Sequence, residues 1–414
     1  MGANKLNIMK PAKIFIFYFL LIIYSLEILI FFFVTENTLS KKDIVNKRIE
    51  IAKERGLEYD TRTREKAFLD FKKDNKDLEP AFYYSPIFKF SKTFSNAKKN
   101  NEVIPFRGPI NSKSLTCAED LKYKLIENDK FGFKNSNSIY DREINSMLLG
   151  DSYAEGSCQI SENDIAGNLI KKGFATANFG VGATSPLVSL GIMREFGKMI
   201  KPKNFIYLYY EGNDLEGLNW EKKDNHLISY IDDEYNINYL EKYDQIEYFL
   251  KLSASESMSY INSFEEKNYL NEKITLKKIK ENIIDILELK KIKYIVRHNI
   301  LNKKHTKYDL DLFFSIIKKM NLEAKKYNSN FIFVYVPDST RYISFPRTAA
   351  LNEAMNLKSE ILRVISETNI TIIDLTNFFD VAENVEQYFP LGYIGHFNAN
   401  GYKKISEIIA TKLD

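Results

Sequence analysis

Three observations predict an α/β protein built on a parallel sheet with helices on both faces, in three α/β/α layers. Five short apolar runs recur along the chain: INSMLLG (144–150), FATAN (174–178), FIYLYY (205–210), NFIFVYV (330–336) and NITIIDL (369–375). Segments of helical character lie between them, such as Pro186 to Met199 and Ala350 to Glu367, and Gly401 to Leu413 closes the chain with another. The first run ends in Gly150-Asp151-Ser152, where a helix can begin. Strands alternating with helices favour parallel pairing, and runs apolar on both sides of the pleat need cover on both faces. In such sheets functional loops gather at the C-terminal ends of the strands.

The elements read in order from a basic flank, residues 1–13, carrying Lys5, Lys10 and Lys13. Ile14 to Val34 follows, 21 residues with one charge, Glu27, and neither Pro nor Gly. At about 1.5 Å per residue it covers roughly 30 Å, enough for a bilayer core. The lysines before it predict a cytoplasmic N-terminus and a main domain outside, periplasmic or extracytoplasmic, on a single-pass inner or plasma membrane protein. Lys41 and Lys42 weaken that charge bias. The sequel TENTLSKK lacks a small-x-small cleavage signal, which favours an uncleaved anchor over a signal peptide. Glu27 in mid-span is costly unless neutralised, snorkelling or paired with another helix.

Residues 35–80 are densely charged and read as a stalk or peripheral helical segment. Residues 81–145 carry Gly, Pro, Asn and Ser clusters, as in PFRGPINSKS, and favour turns and short extended pieces. The main domain is expected over 81–414. Within it, about 235–329 reads as a helical insertion, because Ile and Leu recur at three and four residues in LKKIKENIIDILELKKIKYIV.

Composition narrows the function. The 414 residues hold 59 Lys and Arg against 55 Asp and Glu, so no broad basic face exists to follow a phosphate backbone, and nucleic acid is not an expected partner. Four His and two Cys cannot build repeated structural zinc sites. No metal or organic cofactor is implied. An extracytoplasmic body would permit Cys117 and Cys158 to pair, tying the region 111–120 to the start of the helix after Ser152. Two unrelated buried thiols are the alternative.

Gly150-Asp151-Ser152 places a hydroxyl at a strand-to-helix turn, where backbone N–H groups can meet a developing negative charge. The tripeptide alone is equally a helix N-cap. Three later segments change its meaning: NFGVGATSP at 178–186, EGND at 211–214 and GHFNANGY at 395–402. With GDSYAEG at 150–156, their order resembles the four blocks of the SGNH or GDSL hydrolase superfamily. The resemblance spans Gly150 to Tyr402 and implies a flavodoxin-like SGNH fold. It places the nucleophile on Ser152 and the catalytic base on His396. The oxyanion donors it implies are the Ser152 backbone, Gly182 (or Gly180) and Asn213. Read singly, Asn213 is equally an Asx turn, Gly182 a tight bend and His396 a polar residue beside a terminal helix.

The chemistry fits these residue types. A serine hydroxyl is a weak nucleophile until a base takes its proton, and the oxyanion formed on attack needs preorganised donors. One position departs from the superfamily pattern, whose Asp lies three residues before the histidine: here that residue is Tyr393. A Ser-His dyad, an orienting carbonyl, or an acid from elsewhere, Asp374 or Asp338, remain open. Asp151 and Asp214 are expected to support their loops through hydrogen bonds. Arg194 and Glu211 are a candidate ion pair.

The resemblance implies a serine esterase or O-deacetylase acting on an acyl ester, such as an O-acylated glycan or another cell-envelope ester. An O-acyltransferase using the same centre is the near alternative, and a non-catalytic polysaccharide-binding or assembly protein the alternative of another class. Residues 14–34 would hold the lipid bilayer.

Overall fold

The computed structural model describes residues 5–33, 41–84, 92–100, 102–269 and 308–413, together with a few positions between 284 and 293. The chain divides into two units, one of residues 1–39 with 264–307 and one of residues 40–263 with 308–414.

In the first unit, Lys5–Phe33 is helical. Its described side chains, residues 13 to 29, leave Ile14, Phe15 and Phe17 more than half exposed. Among the described residues no helix is long and apolar enough to cross a membrane. The expected span of residues 14–34 runs past those described side chains. Glu27 is buried, and its Oε2 accepts the Ile292 N–H at 2.7 Å. The run 276–296 lies mostly outside the described residues.

The second unit is organised by five parallel strands: β1 (Ser146–Gly150), β2 (Thr176–Asn178), β3 (Asn204–Tyr210), β4 (Asn330–Val336) and β5 (Thr371–Asp374). Their order across the sheet is β2-β1-β3-β4-β5. All neighbours pair in parallel, with Gly150 opposite Leu208 and Tyr207 opposite Phe333. This is the flavodoxin-like order, in which the crevice lies where the connections from β1 and β3 diverge.

Period-two alternation explains the layers. Met147, Leu149, Phe205, Tyr207, Tyr209, Phe331, Phe333 and Tyr335 join one apolar cluster. Leu148, Ile206, Leu208, Tyr210, Ile332 and Val334 join the other. Helices Pro186–Ile200 and Leu310–Lys326 cover the first face through Leu190, Met193, Phe313 and Ile317. Helices Ile165–Lys171 and Ala399–Ala410 cover the second through Leu169, Tyr402 and Ile405. With both faces dry, every residue of β3 is buried, which is why FIYLYY shows no polar alternation.

The segment from Ala350 to Glu367, expected as one helix, is two: Ala349–Asn356 and Lys358–Ser366. At Leu357 the N–H bonds tighten back to the Glu353 and Ala354 carbonyls, and the helix turns there. Tyr243–Tyr269 is one long helix, and residues 270–283 and 294–307 lie outside the described residues. Ahead of β1, Ser112–Leu115 and Leu125–Asn128 form an antiparallel pair. Helices Lys41–Glu54 and Arg64–Asp74 precede it.

Candidate active site

The strand β1 ends at Gly150, whose φ of +138° suits glycine alone. A Cβ there would lie 2.7 Å from the Leu208 carbonyl oxygen of the neighbouring strand. This tight exit turns the chain into a short helix, Ser152–Glu155, capped by Asp151, whose carboxylate accepts the Tyr153 N–H at 2.9 Å. Capping thus falls to Asp151, whose other oxygen accepts from the Ser152 hydroxyl at 3.4 Å, and that hydroxyl has a nearer partner.

That partner is His396. Its Nε2 lies 2.8 Å from Ser152 Oγ, across 244 positions of sequence. The loop that carries it follows Pro390–Gly392 and precedes the helix Ala399–Ala410, which Asn398 caps onto the Gly401 N–H at 3.0 Å. The Tyr153 ring lies 4.9 Å from the imidazole, centroid to centroid, and the Tyr153 hydroxyl donates to the Gly395 carbonyl at 3.3 Å.

The carboxylate against the other imidazole nitrogen is neither Asp374 nor Asp338. It is Glu119. Its Oε2 lies 3.1 Å from His396 Nδ1 and accepts the His396 backbone N–H at 2.8 Å. A carboxylate on Nδ1 holds the proton there and leaves the Nε2 lone pair facing the serine hydroxyl. Asp374 instead pairs with Lys358 at 2.8 Å and accepts from Thr376, while Asp338 caps the turn Ser339–Arg341 and accepts from the Tyr210 hydroxyl. Tyr393, at the position where the superfamily pattern has its Asp, packs its ring near Phe345.

Burial alone would raise the Glu119 carboxyl, but the charge of His396, its two hydrogen bonds and Arg48 outweigh it and bring the group down to about 2. Burial alone would lower the imidazole of His396, yet Glu119 above all, then Asp151 and Glu155, raise it. The histidine therefore sits in a field prepared for its protonated form.

The loops after β2 and β3 complete the rim. The Gly180 N–H donates to Asn178 Oδ1 at 2.9 Å and is occupied. Gly182 has no such partner for its N–H among the described residues, and a Cβ there would meet Glu155 Oε2 at 2.8 Å. Asn213 begins the helix Asp214–Glu221 without capping it through its side chain, and its Oδ1 is buried with no hydrogen-bond partner among the described residues. Beside Ser152, burial pushes Asp151 up, opposed by the Tyr153 N–H, His396 and the Asn213 amide. Asp214 is raised by burial and then by Asp151; it accepts from the Tyr207 hydroxyl at 2.9 Å and the Tyr210 N–H at 3.0 Å.

Two buried ion pairs brace the short helix Ser152–Glu155. Arg107 Nη2 meets Glu155 Oε1 at 2.7 Å, and Lys134 Nζ meets Asp164 at 3.0 Å while donating to the Gly156 carbonyl at 2.9 Å. Arg194 and Glu211 do not pair with each other. Arg194 holds Asp233 at 2.6 Å, and Glu211 is held by Arg341 at 2.6 Å and by the Asp338 N–H at 2.7 Å, since β3 and β4 bring their C-terminal loops together. A disulfide joins Cys117 to Cys158. It fastens the Glu119 loop, two residues on, to the chain just past the helix Ser152–Glu155.

Sequence reasoning missed Glu119; the pairing of Cys117 with Cys158 is the one signal that could have found it. It brings residues 111–120 to the nucleophile, and Glu119 is a carboxylate within that stretch.

No family profile and no curated protein matches the chain. Solved structures resemble it at 12–14% identity. One, from Desulfitobacterium hafniense DCB-2, is described as a lipolytic protein of the G-D-S-L family; the match covers 65% of this chain and 99% of that one at 14% identity and a TM-score of 0.34. A GDSL-like lipase from Bacteroides thetaiotaomicron VPI-5482 matches over 66% and 89% at 13% identity and a TM-score of 0.34. A chain assigned as an acylhydrolase, from Bacteroides fragilis NCTC 9343, matches over 66% and 87% at 12% and 0.34.

Proposed function

We propose that this chain is a serine hydrolase of the SGNH type that cleaves O-acyl esters, with Ser152 as nucleophile, His396 as general base and acid, and Glu119 as the orienting carboxylate. The observation that carries this reading is the continuous relay from Glu119 to His396 Nδ1 at 3.1 Å and from Nε2 to Ser152 Oγ at 2.8 Å. It stands at the C-terminal edge of the sheet, beside the divergence of β1 and β3.

In the reaction, Ser152 Oγ attacks the ester carbonyl carbon as its proton passes to His396 Nε2. Glu119 stabilises the imidazolium. The oxyanion is met by the Ser152 and Gly182 N–H groups and the Asn213 amide. Collapse expels the alcohol, which takes the proton from Nε2 and leaves the acyl group on Ser152. Water then attacks the acyl-enzyme, gives its proton to Nε2, and the carboxylic acid departs as Ser152 regains its hydrogen.

A fluorophosphonate probe tests the reading. Wild type is expected to label at Ser152, and S152A to fold but stay unlabelled in intact-protein mass spectra. A folded wild type that neither labels nor hydrolyses any of a panel of acyl esters would sink it.

We further infer that the substrate is an acylated glycan or envelope ester reached from outside the cell, and that residues 14–34 anchor the chain. What supports the anchor and the outward-facing body is the apolar run and its lysine flank; the substrate class rests on the family resemblance. Protease added to sealed right-side-out vesicles is expected to digest the body; complete protection of the body would reverse the orientation.

A further inference from the structure

We infer that Arg48, carried on the helix Lys41–Glu54 far outside the superfamily-like blocks, is a positioning residue that fixes Glu119 and the His396 loop as one unit. The inference rests on the serine-hydrolase reading above and extends its relay by one residue. Arg48 Nη2 lies 3.4 Å from Glu119 Oε1 and donates to the Ile394 carbonyl at 2.9 Å. One guanidinium thus ties the acid to the backbone two residues before the base.

The two carboxylate oxygens divide the work. Oε2 takes both the imidazole Nδ1 and the backbone N–H of His396, and Oε1 faces Arg48. With Oε2 hydrogen-bonded to His396 and Oε1 in an ion pair with Arg48, rotation of the carboxylate away from the ring is opposed at both oxygens. The Arg48 side chain is 7% exposed and that of Glu119 19%, so water competes little for either.

Gly395 makes room for this. Its φ is +149°, and a Cβ there would lie 2.6 Å from Glu119 Oε2 and 2.7 Å from Arg48 Nη2. Any side chain would wedge the pair apart. The other charged or titratable groups around the unit are Tyr59 and Tyr393, which both feel the Arg48 charge, Lys47 beside Tyr393, and Asp151 and Glu155, which face His396.

The helix Lys41–Glu54 therefore has a task beyond linking the body to what precedes it. Both contacts are made by one terminal nitrogen, Nη2, and an arginine brings a charge that does not titrate away at any working pH.

The test follows fluorophosphonate labelling of the full chain against pH, with the melting temperature read in parallel. R48Q is expected to label about 10- to 100-fold more slowly, the size of losing one hydrogen bond to a charged group. Its acid limb should move to higher pH, because a positive charge that opposed protonation of His396 has gone. R48K should keep the wild-type limb and label at a rate between the two. In an E119Q background R48Q should add little, since the group it holds is already changed. A folded R48Q with the wild-type rate and limb would overturn the inference, as would independent, multiplying effects of R48Q and E119Q. If R48Q does not fold, R48K labelling at the wild-type rate overturns it. Failure of wild type to label strikes the hydrolase reading instead.

Discussion

E119Q is expected to fold normally and to lose on the order of 10³- to 10⁴-fold in turnover, the size that a wrong-tautomer substitution produces in other triads. The amide that replaces the carboxylate can donate to Nδ1, which would place the imidazole proton on Nε2 and point it at Ser152 Oγ, the wrong direction for a base. The pH profile gives the sign. Glu119 is the leading influence raising His396, so wild-type activity should fall on its acid side with an apparent pKa above the ordinary imidazole value of about 6.5. Removing the carboxylate's charge should move that limb to lower pH even as the plateau collapses. Hydrolysis of an activated ester from pH 4 to 9 measures both. An E119Q plateau within threefold of wild type would show that Ser152 and His396 act as a dyad.

The second large effect is on stability. R107M should cost about 3–5 kcal/mol, because removing one partner leaves the Glu155 carboxylate buried beneath the nucleophile helix. Arg107 is fully buried and also serves Asn128 Oδ1 at 2.6 Å and the Gly132 carbonyl. The double variant R107M/E155M removes both charges and should recover part of the loss, but not all, since those two acceptors remain unserved. Urea unfolding of wild type and both variants reads this directly. A loss below about 1 kcal/mol for R107M would mean that water reaches Glu155 or that the site relaxes around it. Activity should suffer beyond the fraction unfolded, because Glu155 also lies against Gly182 on the oxyanion rim.

Much of the sheet was legible because strands buried on both faces must be apolar throughout, and FIYLYY and NFIFVYV are long enough to say so. The strand order was not legible. Nothing in the runs states that β1 lies between β2 and β3; that follows from which face each crossover helix covers. The partners of Glu211 were equally invisible, since they sit on loops that meet only when β3 and β4 pair, and so was the pairing of Arg194 with Asp233 from a distant loop.

The site divides in the same way. Ser152, Asn213 and Gly182 each follow a strand directly, so sequence order carries them to one edge of the sheet, and short motifs mark them. Glu119 and Arg48 follow no central strand and belong to no motif. They arrive from the region ahead of the sheet, one through the Cys117–Cys158 linkage and one on a charged helix whose side chains otherwise look solvated.

By itself, then, the sequence determined the layered α/β class and singled out Ser152 and His396 as candidates, because apolar periodicity and strand-end motifs are local properties. Only the tertiary structure decided which carboxylate faces the imidazole and which cation steadies it. A hydrogen bond between side chains 277 positions apart depends on where the backbone goes, and no spacing along the chain encodes that.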